Sequence, residues 1–587
     1  MTPTQKTGFA RKGKVTAKPQ KARTRAPKKS SSKKGVLRII PLGGCEEVGR
    51  NMTLLEYEDD IIIIDMGLQF PEEGMHGVDY IIPNTEYLRG KEKKVRGVVI
   101  THGHYDHIGA IPHLIPQMGN PPIYGSALTL GIIAKRQEDY KHIKGKLNLQ
   151  VADNTTKLTL GKFNVEFFGV SHNIPGSMGI IIRTPIGVIV HTGDFKLDLM
   201  PSGDTPADIA KIAKLHEENV LALLSDSTNA SQPGHQFTEI EIQGTMEEII
   251  TAATGRLIIG TFASLLGRLQ QIIWLAEKHD KKIIVEGFSM KSNIEIAQQL
   301  GYMKVKRGTI IGIKEMENYP KNRIIILCTG AQGEDRAVLM RVATQQHRHI
   351  QIIPGDTVIF SSSVIPGNER SVQKLTDTLY REGADVINYK MMDVHAGGHA
   401  RQEDLKLMIK LVNPQYLIPI EGNHSFLKIH AKLGLALGMS SKNIFVADNG
   451  QIIEFTSQGG RLTDEKTSSD YIFVDGLGVG DVSHVVLKDR QVMAEDGMLV
   501  IIATVESKTG KLVSNPDIIS RGFIYMKDNK KLIEETRKKT RELLYDDDPR
   551  SSANQEFLKN KVRTEIGQLL YHRTKRRPMI LPVIIEV

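Results

Sequence analysis

The stretch Thr101-His102-Gly103-His104-Tyr105-Asp106-His107 decides the fold expected for this chain. It directly follows an apolar run that predicts a buried strand. Residues two apart in an extended segment point the same way, so His102 and His104 can hold one cation together. Asp106 and His107 follow after the chain turns, and they face a second position. Imidazole and carboxylate suit zinc, with bonds of roughly 2.0–2.2 Å, so the stretch predicts a metal site on the loop that leaves a strand.

Two further strand ends carry ligand-type residues downstream. His172 follows the apolar segment 167–170, and Asp194 follows the apolar segment 187–190. A single histidine in such a place is more often a structural residue, but two more strand ends with ligand types favour convergence on one site. Asp65 ends a similar run, and we expect it to orient a ligand histidine from behind.

The composition is that of a large protein with several globular domains. A length of 587 residues suggests about three to four domains. The two cysteines, Cys45 and Cys328, are too few for a disulfide scaffold and favour a reducing cytoplasm. No apolar run approaches the roughly 18 residues that a membrane helix needs, and the N-terminus lacks the apolar segment of a secretory signal. We therefore expect a cytoplasmic protein that does not enter a membrane.

The net charge of +10 lies in the N-terminal tail. Residues 1–35 contain twelve of the 77 Lys and Arg residues and no acidic residue, which leaves 65 basic against 67 acidic residues elsewhere. Pro, Ser, Thr and Gly fill the remaining positions, so the tail is expected to be disordered. Such a tail suits electrostatic contact with nucleic acid. A solubilising, dispensable extension is the alternative interpretation.

After Asp194 the chain continues with strands that end in small, Gly- and Ser-rich turns, separated by helices. These strands and turns run 223–230, 258–264, 324–334 and 357–363. Backbone N–H groups at such strand ends suit phosphate groups. Any one of them, taken alone, would be an ordinary strand-to-helix turn.

Taken together, these motifs resemble a known family. The set Asp65, His102-x-His104-x-Asp106-His107, His172 and Asp194 resembles the metallo-β-lactamase superfamily, which includes lactamases, thioester hydrolases, lactonases and nucleases. The later turns resemble the β-CASP insertion of its nucleic-acid-processing members, and within them bacterial ribonuclease J. Four more stretches share that resemblance: Val394–Ala400, Asp475–Gly480, Asp489–Arg490 and Ile518–Phe523.

The resemblance implies a fold and a division into domains. The fold is α/β: a metallo-β-lactamase αββα sandwich with an inserted β-CASP α/β domain and a small α+β C-terminal domain. The expected parts are a tail (1–35), the first sandwich segment (36–215), the β-CASP domain (216–390), the returning sandwich segment (391–445), a linker (446–475) and a C-terminal oligomerisation domain (476–587). Strands are expected at 482–487 and 499–505 of the last part, with helices at 531–544 and 562–570.

The resemblance also implies a function. It indicates an RNA endonuclease that is also a 5′-to-3′ exonuclease in RNA maturation and decay. Two zinc ions are expected, with manganese or magnesium as alternatives. One ion is assigned to His102, His104 and His172, the other to Asp106 and His107, with Asp194 between them. The expected partners are RNA, further copies of the chain in a homodimer or homotetramer, and members of an RNA-decay complex.

The remaining catalytic assignments come from the same resemblance. His399 is expected near the scissile phosphate, where it stabilises or protonates the leaving group, with Asp226 orienting it. The loop residues His395, Ala396, Gly397, Gly398 and His399, together with Ser264, are expected to hold substrate phosphates. The family usually has Ser where this chain has Gly397, so one phosphate-binding hydroxyl is missing.

A larger departure concerns the second metal position. The family has a final metal histidine after a strand, and the matching residue here is Glu421. Three alternatives are open: Glu421 binds the metal through oxygen, His424 reaches back from the next helix, or the second site is weak. The departures at Glu421 and Gly397 also leave a second function open, that of a catalytically weak RNA-binding paralogue acting as a partner subunit.

Overall fold

A computed structural model of the chain describes residues 35–587, apart from 73, 144, 202–205, 335, 366–367, 508–510 and 546–551. The predicted basic tail, except for Gly35, lies outside the described residues.

The first part of the chain, up to residue 226, is rich in strands. Its strands are β1 (Leu37–Gly43), β2 (Met52–Tyr57), β3 (Asp60–Ile64), β4 (Tyr80–Ile82), β5 (Val95–Val99), β6 (Ile123–Gly125), β7 (Leu149–Val151), β8 (Lys157–Leu160), β9 (Phe163–Gly169), β10 (Met178–Arg183), β11 (Val188–His191) and β12 (Ala222–Asp226). Its α-helices are α1 (Tyr105–Ile108), α2 (Ile111–Leu114), α3 (Ala127–Gln137) and α4 (Ile209–Lys214).

Strands and helices alternate in the next part. They are α5 (Glu239–Ala252), β13 (Leu257–Gly260), α6 (Leu266–Lys278), β14 (Lys282–Glu286), α7 (Phe288–Gln299), β15 (Ile324–Cys328), α8 (Val338–Ala343), β16 (Thr357–Phe360), α9 (Glu369–Arg381) and β17 (Asp385–Asn388). The chain then returns through α10 (Gln402–Val412), β18 (Tyr416–Ile420), α11 (His424–Ala436), β19 (Gln451–Thr456) and β20 (Gly459–Lys466). The last elements are β21 (Ile472–Asp475), β22 (Gly478–Val479), α12 (His484–Asp496), β23 (Met498–Val505), β24 (Asp517–Arg521), α13 (Lys530–Tyr545), α14 (Ser552–Thr574) and β25 (Met579–Glu586).

Two sheets form a sandwich. One has eight strands in the order β20-β19-β1-β2-β3-β5-β6-β7, and the other has six in the order β18-β12-β11-β10-β9-β8. Apolar side chains of both sheets fill the space between them, among them Ile39, Ile62, Phe167 and Ile180. Helices α3 and α10 pack on the two outer faces. The predicted αββα sandwich is therefore confirmed.

The inserted part is a parallel sheet with the order β14-β15-β13-β16-β17. Its strands are apolar along most of their length because helices cover both faces, α5 and α6 on one side and α8 and α9 on the other. All five carboxyl ends lie at one edge, which faces the loop before α10 through the contact of Arg268 with the Val394 carbonyl.

The structure corrects three expectations. Strand β12 belongs to the six-stranded sheet, so the sandwich continues beyond residue 215. The segment 446–475 is not a plain linker, because β19 pairs with β1 and β20 pairs with β19. The strand expected at 482–487 is wrong, because α12 begins there. Ser483 caps the helix by accepting a hydrogen bond from the Val486 N–H, and this cap overrides the β-branched run.

The C-terminal part is a small α+β unit. Its sheet has the order β24-β23-β25, and α13 and α14 pack on one face around Leu499, Ile501 and Ile566. The other face is partly exposed. Among the helices in the described ranges, none combines the length and the apolar character needed to cross a membrane.

Candidate metal centre and active site

The site lies where strand ends of both sheets meet. His102 and His104 follow β5, whereas His172 follows β9. Strands β11, β12 and β18 are parallel neighbours in the six-stranded sheet, so the residues after or at their carboxyl ends, Asp194, Asp226 and Glu421, come together. The strand order explains why candidate ligands up to 319 positions apart in sequence, His102 and Glu421, lie in one pocket.

Four side chains form the first ligand group. His104 Nδ1 lies 3.0 Å from His102 Nε2 and 3.1 Å from His172 Nε2. Asp194 Oδ2 lies 3.6 Å from the Nε2 atoms of both His102 and His172. Ligands placed ~2.05 Å from a tetrahedral ion are about 3.3 Å apart, so these separations fit a zinc-sized cation.

The second ligand group contains Asp106, His107 and the other oxygen of Asp194. His107 Nε2 lies 3.3 Å from Asp194 Oδ1 and 3.6 Å from Asp106 Oδ2. Asp194 therefore presents one oxygen to each group, an arrangement in which one carboxylate can contact two ions. The structure brings together all six residues assigned from the motif.

Hydrogen bonds from behind orient the ligand rings. Asp65 Oδ2 accepts from His107 Nδ1 at 2.8 Å, and its two oxygens also accept from the N–H and the hydroxyl of Thr101. The carbonyl of Gly398 lies 2.7 Å from His172 Nδ1. These bonds favour a proton on Nδ1 and turn the Nε2 atoms of His107 and His172 towards the other ligand-type side chains.

The charges around the site also favour cations. Burial holds the pKa of His102 and His172 well below the ordinary value and lowers the pKa of His104 to about 4, so these ligands are neutral. Burial opposes a charge on His107, but its carboxylate neighbours, Asp194 first, hold the pKa of that imidazole well above its usual range. The second position therefore attracts positive charge.

Glu421 faces the second position. Its side chain is buried, and Glu421, Asp65 and His107 each offer an atom within 4.8 Å of the others. Its backbone is in the left-handed region, with φ of 56°. Burial and the charge of Asp194 hold the pKa of Glu421 well above its usual range. Among the residues that the structure describes, Glu421 Oε2 is buried without a hydrogen bond of ordinary geometry, although the Glu421 carboxyl lies close to that of Asp194.

His424 points elsewhere. Its side chain is half-exposed at the start of α11, and its Nδ1 lies 3.3 Å from Glu46 Oε1. The groups closest to it are Glu46 and Asp448, outside the pocket. The geometry thus favours Glu421 over His424 as the residue at the second position.

His399 and Asp226 form a pair beside the ligands. His399 Nδ1 lies 2.9 Å from Asp226 Oδ2 and 3.9 Å from Asp194 Oδ2. Burial would lower the pKa of His399, but Asp226 and Asp194 outweigh it and raise the pKa to about 9. A protonated His399 can donate a proton to a departing oxygen.

The loop 395–399 lies against this pair. His395 Nδ1 is buried without a hydrogen-bond partner in the described part of the chain. Gly398 has to lack a side chain, because a Cβ there would lie 2.6 Å from His172 Nδ1. Ser264 lies in the turn before α6. That helix is linked to the loop by Arg268, which donates a hydrogen bond to the Val394 carbonyl.

Sequence reasoning missed two groups near the site. Asn51 Nδ2 lies 2.9 Å from His107 Nε2, and no local signal marks that residue. Glu239 is buried between two cations, accepting from Lys196 Nζ at 2.9 Å and from Arg268 Nη2 at 2.8 Å. Lys196 lies two residues after Asp194, in the segment that follows β11. Glu239 lies in α5 and Arg268 in α6, so this network connects that segment to the inserted domain. The one signal for this network in the sequence is the short separation of Lys196 from Asp194.

Comparisons with known proteins identify the families that the chain resembles. Three family models match: the metallo-beta-lactamase superfamily at residues 46–223, the ribonuclease J beta-CASP domain at 254–379 and the ribonuclease J C-terminal domain at 485–587. A crystal structure of a protein of unknown function from Enterococcus faecalis matches with a TM-score of 0.50 and 14% identity, covering 72% of this chain and 100% of that chain. That likeness concerns the fold alone.

Relatives match over nearly the whole length. Ribonuclease J 1 of Streptococcus pyogenes serotype M3 is 41% identical over 547 residues, which is 93% of this chain and 97% of that protein. Ribonuclease J2 of Bacillus subtilis is 38% identical over 551 residues, 94% of this chain and 99% of that protein. The chain belongs to the ribonuclease J family, the metallo-β-lactamase and β-CASP hydrolases that act on RNA.

Proposed function

We propose that this chain is a two-metal ribonuclease that cleaves RNA both internally and from the 5′ end. The observation that carries the proposal is one pocket that combines two cation positions with the His399–Asp226 pair. The first group is built from neutral imidazoles and one carboxylate, which suits zinc, whereas the second is richer in oxygen and also suits manganese.

Two sets of donors are proposed for the two ions. His102, His104, His172 and Asp194 would hold one, and Asp106, His107, Asp194 and Glu421 the other. When bound, such ions lower the pKa of water and neutralise charge at phosphorus. The buried Glu421 Oε2, which lacks a hydrogen bond of ordinary geometry among the described residues, supports this assignment.

The chain's own groups handle the leaving oxygen and the phosphates. The oxygen of a water molecule bonds to phosphorus as the water releases a proton to solvent, and the bond between phosphorus and the leaving ribose oxygen breaks. His399 gives its proton to that oxygen, and Asp226 keeps the imidazole charged and oriented. The loop His395–His399, together with Ser264, would bind the neighbouring phosphates, with backbone N–H groups of the loop as donors.

The test uses three RNAs of the same sequence with purified protein, with and without a chelator. We expect cleavage of a 5′-monophosphate RNA to nucleotides, slower attack on a 5′-triphosphate RNA, and nicking of a circular RNA, which has no 5′ end. Resistance of the circle would remove the endonuclease from the proposal. Unchanged cleavage in the chelator would refute the metal requirement.

A catalytically weak, RNA-binding partner subunit is the second candidate. It is favoured by the carboxylate at Glu421 and by Gly397, both at positions that touch the chemistry. This candidate predicts tight RNA binding but turnover at least about 100-fold below that of an active relative, and the same three RNAs decide between the two.

We propose that the C-terminal domain joins copies of the chain into a homodimer or homotetramer. The sheet face opposite α13 and α14 exposes Leu581, Val583 and Ile585 of β25 in a row, because alternate residues of a strand share a face. Val583→Lys should lower the mass measured by light scattering, whereas Lys539→Glu on the helical side should not. Identical masses would show that this face is not the interface.

We also propose a cytoplasmic location. Cys45 and Cys328 are both free and buried, as in proteins kept in a reducing compartment. Fractionation of cells that express the tagged chain tests this location.

A further inference from the structure

Position 397 is a glycine, and the side chain of Gln236 occupies the space that a side chain at this position would need. A Cβ built on Gly397 would lie 2.8 Å from Gln236 Nε2 and 3.5 Å from Asn229 Nδ2. The backbone of Gly397 is not in the left-handed region, so its conformation does not require glycine. The space beside the loop belongs instead to the amide of Gln236.

That amide holds the loop directly. Gln236 Nε2 donates to the carbonyl of His399 at 2.9 Å, and Asn229 Nδ2 donates to the same oxygen at 3.3 Å. His399 is the residue whose imidazole lies on Asp226 at 2.9 Å. The carbonyl of His399 is thus held by amides while its ring is held by a carboxylate.

Gln236 is itself fixed at both ends. Its Oε1 accepts from the N–H of Phe237 at 3.1 Å, so Nε2 has to face the His399 carbonyl. Its backbone N–H donates to Asp404 Oδ2 at 2.9 Å, and Asp404 is buried at the start of α10. His235 Nδ1 lies 2.7 Å from the other oxygen of Asp404. The donor is therefore pre-oriented, which lowers the entropy lost when it orders the loop.

We propose that Gln236 is a positioning residue for cleavage: it holds the loop at the His399 carbonyl, in the space that Gly397 leaves open, and so keeps the imidazole aligned with the leaving oxygen. The inference rests on the proposed function, because alignment matters only if His399 acts on the leaving group. A shift of the imidazole by about 1 Å can cost on the order of 100-fold in rate.

The experiment compares full-length variants on one 5′-monophosphate RNA. Gln236→Glu has the same shape, but it places a carboxylate oxygen against the His399 carbonyl. We expect kcat to fall about 10- to 100-fold, with KM within about twofold. Gln402→Ala is the matched control, because Gln402 Nε2 donates to the Ala230 carbonyl in the same segment without touching the loop. Its kcat should stay within about twofold of wild type.

A double-mutant cycle tests whether Gln236 and a side chain at position 397 compete for the same space. Gly397→Ser should lower kcat in the wild-type background because the new Cβ displaces the Gln236 amide. In a Gln236→Ala background the same substitution should cost much less, since the space is free. Equal costs in both backgrounds would overturn the claim that Gln236 and Gly397 share one space.

Hydrogen exchange of the loop amides gives a readout that does not depend on catalysis. Exchange at residues 395–399 should speed up in Gln236→Glu and not in Gln402→Ala. Unchanged kcat and exchange in Gln236→Glu, or a rise in KM alone, would overturn the inference. A wild-type protein that cleaves no RNA would refute the proposed function instead, and the exchange data would still decide whether Gln236 holds the loop.

Discussion

Replacing Glu421 by Ala tests the second cation position most directly. Glu421 is buried beside Asp194 and His107, and burial together with the Asp194 charge holds its pKa well above the usual range. A bound divalent cation would neutralise both carboxylates. Without the cation, burial and the charge of Asp194 disfavour a charge on Glu421, so the metal-free pocket holds this carboxyl only at a cost in stability. The substitution should therefore have opposite effects on the metal-free and the metal-bound protein.

The size of the effect follows from the charges. A unit-charge attraction over ~4 Å at an effective dielectric constant of about 20 is worth ~4 kcal/mol. Such an energy corresponds to nearly three powers of ten in affinity at about 1.4 kcal/mol for each. A water molecule can occupy the ligand position that the carboxylate leaves and restore part of this energy. We therefore expect the affinity of the second ion to fall on the order of 100-fold.

The assay combines metal content with thermal unfolding. After dialysis against manganese, Glu421→Ala should retain about one ion per chain, and its cleavage should fall at least about 100-fold, because one of two charge-stabilising cations is lost. In a chelator its Tm should exceed that of wild type, because the cost of holding the Glu421 carboxyl beside Asp194 is gone. Glu421→His should retain two ions with zinc, and His424→Ala should be mild.

The opposite pattern would refute the assignment of Glu421 to the second cation position. If Glu421→Ala keeps two ions while His424→Ala loses one, the ligand is His424. If the Tm of metal-free Glu421→Ala falls below that of wild type, the Glu421 carboxyl stabilises the apo pocket and the expected cost in stability is wrong.

Three other predictions concern the bridge, the tail and the domain junction. Asp194→Ala should abolish cleavage and release metal, since it faces both ligand groups, and full activity would refute the two-metal assignment. Deleting residues 1–35 should weaken RNA affinity and flatten its salt dependence by about 0.7 in log–log slope for each RNA phosphate that the tail neutralises, with turnover on saturating short RNA unchanged. Identical slopes would show that the tail does not touch RNA. Glu239→Gln should lower the free energy of unfolding in urea by about 3–5 kcal/mol, because Arg268 loses its buried counter-charge and Lys196 is left with the more distant carboxylate of Asp198, at 3.8 Å. A change below about 1 kcal/mol would show that solvent or another acid compensates them.

Much of the site was predictable because its ligands are local in sequence. The stretch 101–107 supplies four of them, and apolar runs before His172 and Asp194 mark strand ends without any tertiary information. Strand ends in an α/β sheet gather at one edge, so convergence followed from the pattern. The repeated apolar runs with Gly- and Ser-rich turns likewise indicated the parallel sheet of the inserted domain, which the structure confirms.

Composition gave a wrong prediction where a strand pairs with a segment that is distant in sequence. The segment 446–475 is rich in Gly and Asp and was expected to be a linker, but β19 pairs with β1, more than 400 positions earlier in the chain. No local pattern can report a partner at that distance. At 482–487 the β-branched run competed with the Ser483 cap, and the cap determined a helix.

Only the tertiary structure shows which of Glu421 and His424 faces the second ligand group and which side chain lies beside the loop. Glu421 and His424 are three positions apart, and both are ligand types. The choice depends on β18 lying beside β12, which turns Glu421 inward and leaves His424 at the surface. The Gln236 amide and Gly397 are 161 positions apart, and they meet only because α10 anchors the segment that carries Gln236. The sequence by itself determined which chemical groups are present and where strands end, because those depend on neighbouring residues. Which groups share a space depends on how distant strands and helices pack, and packing is a property of the whole chain.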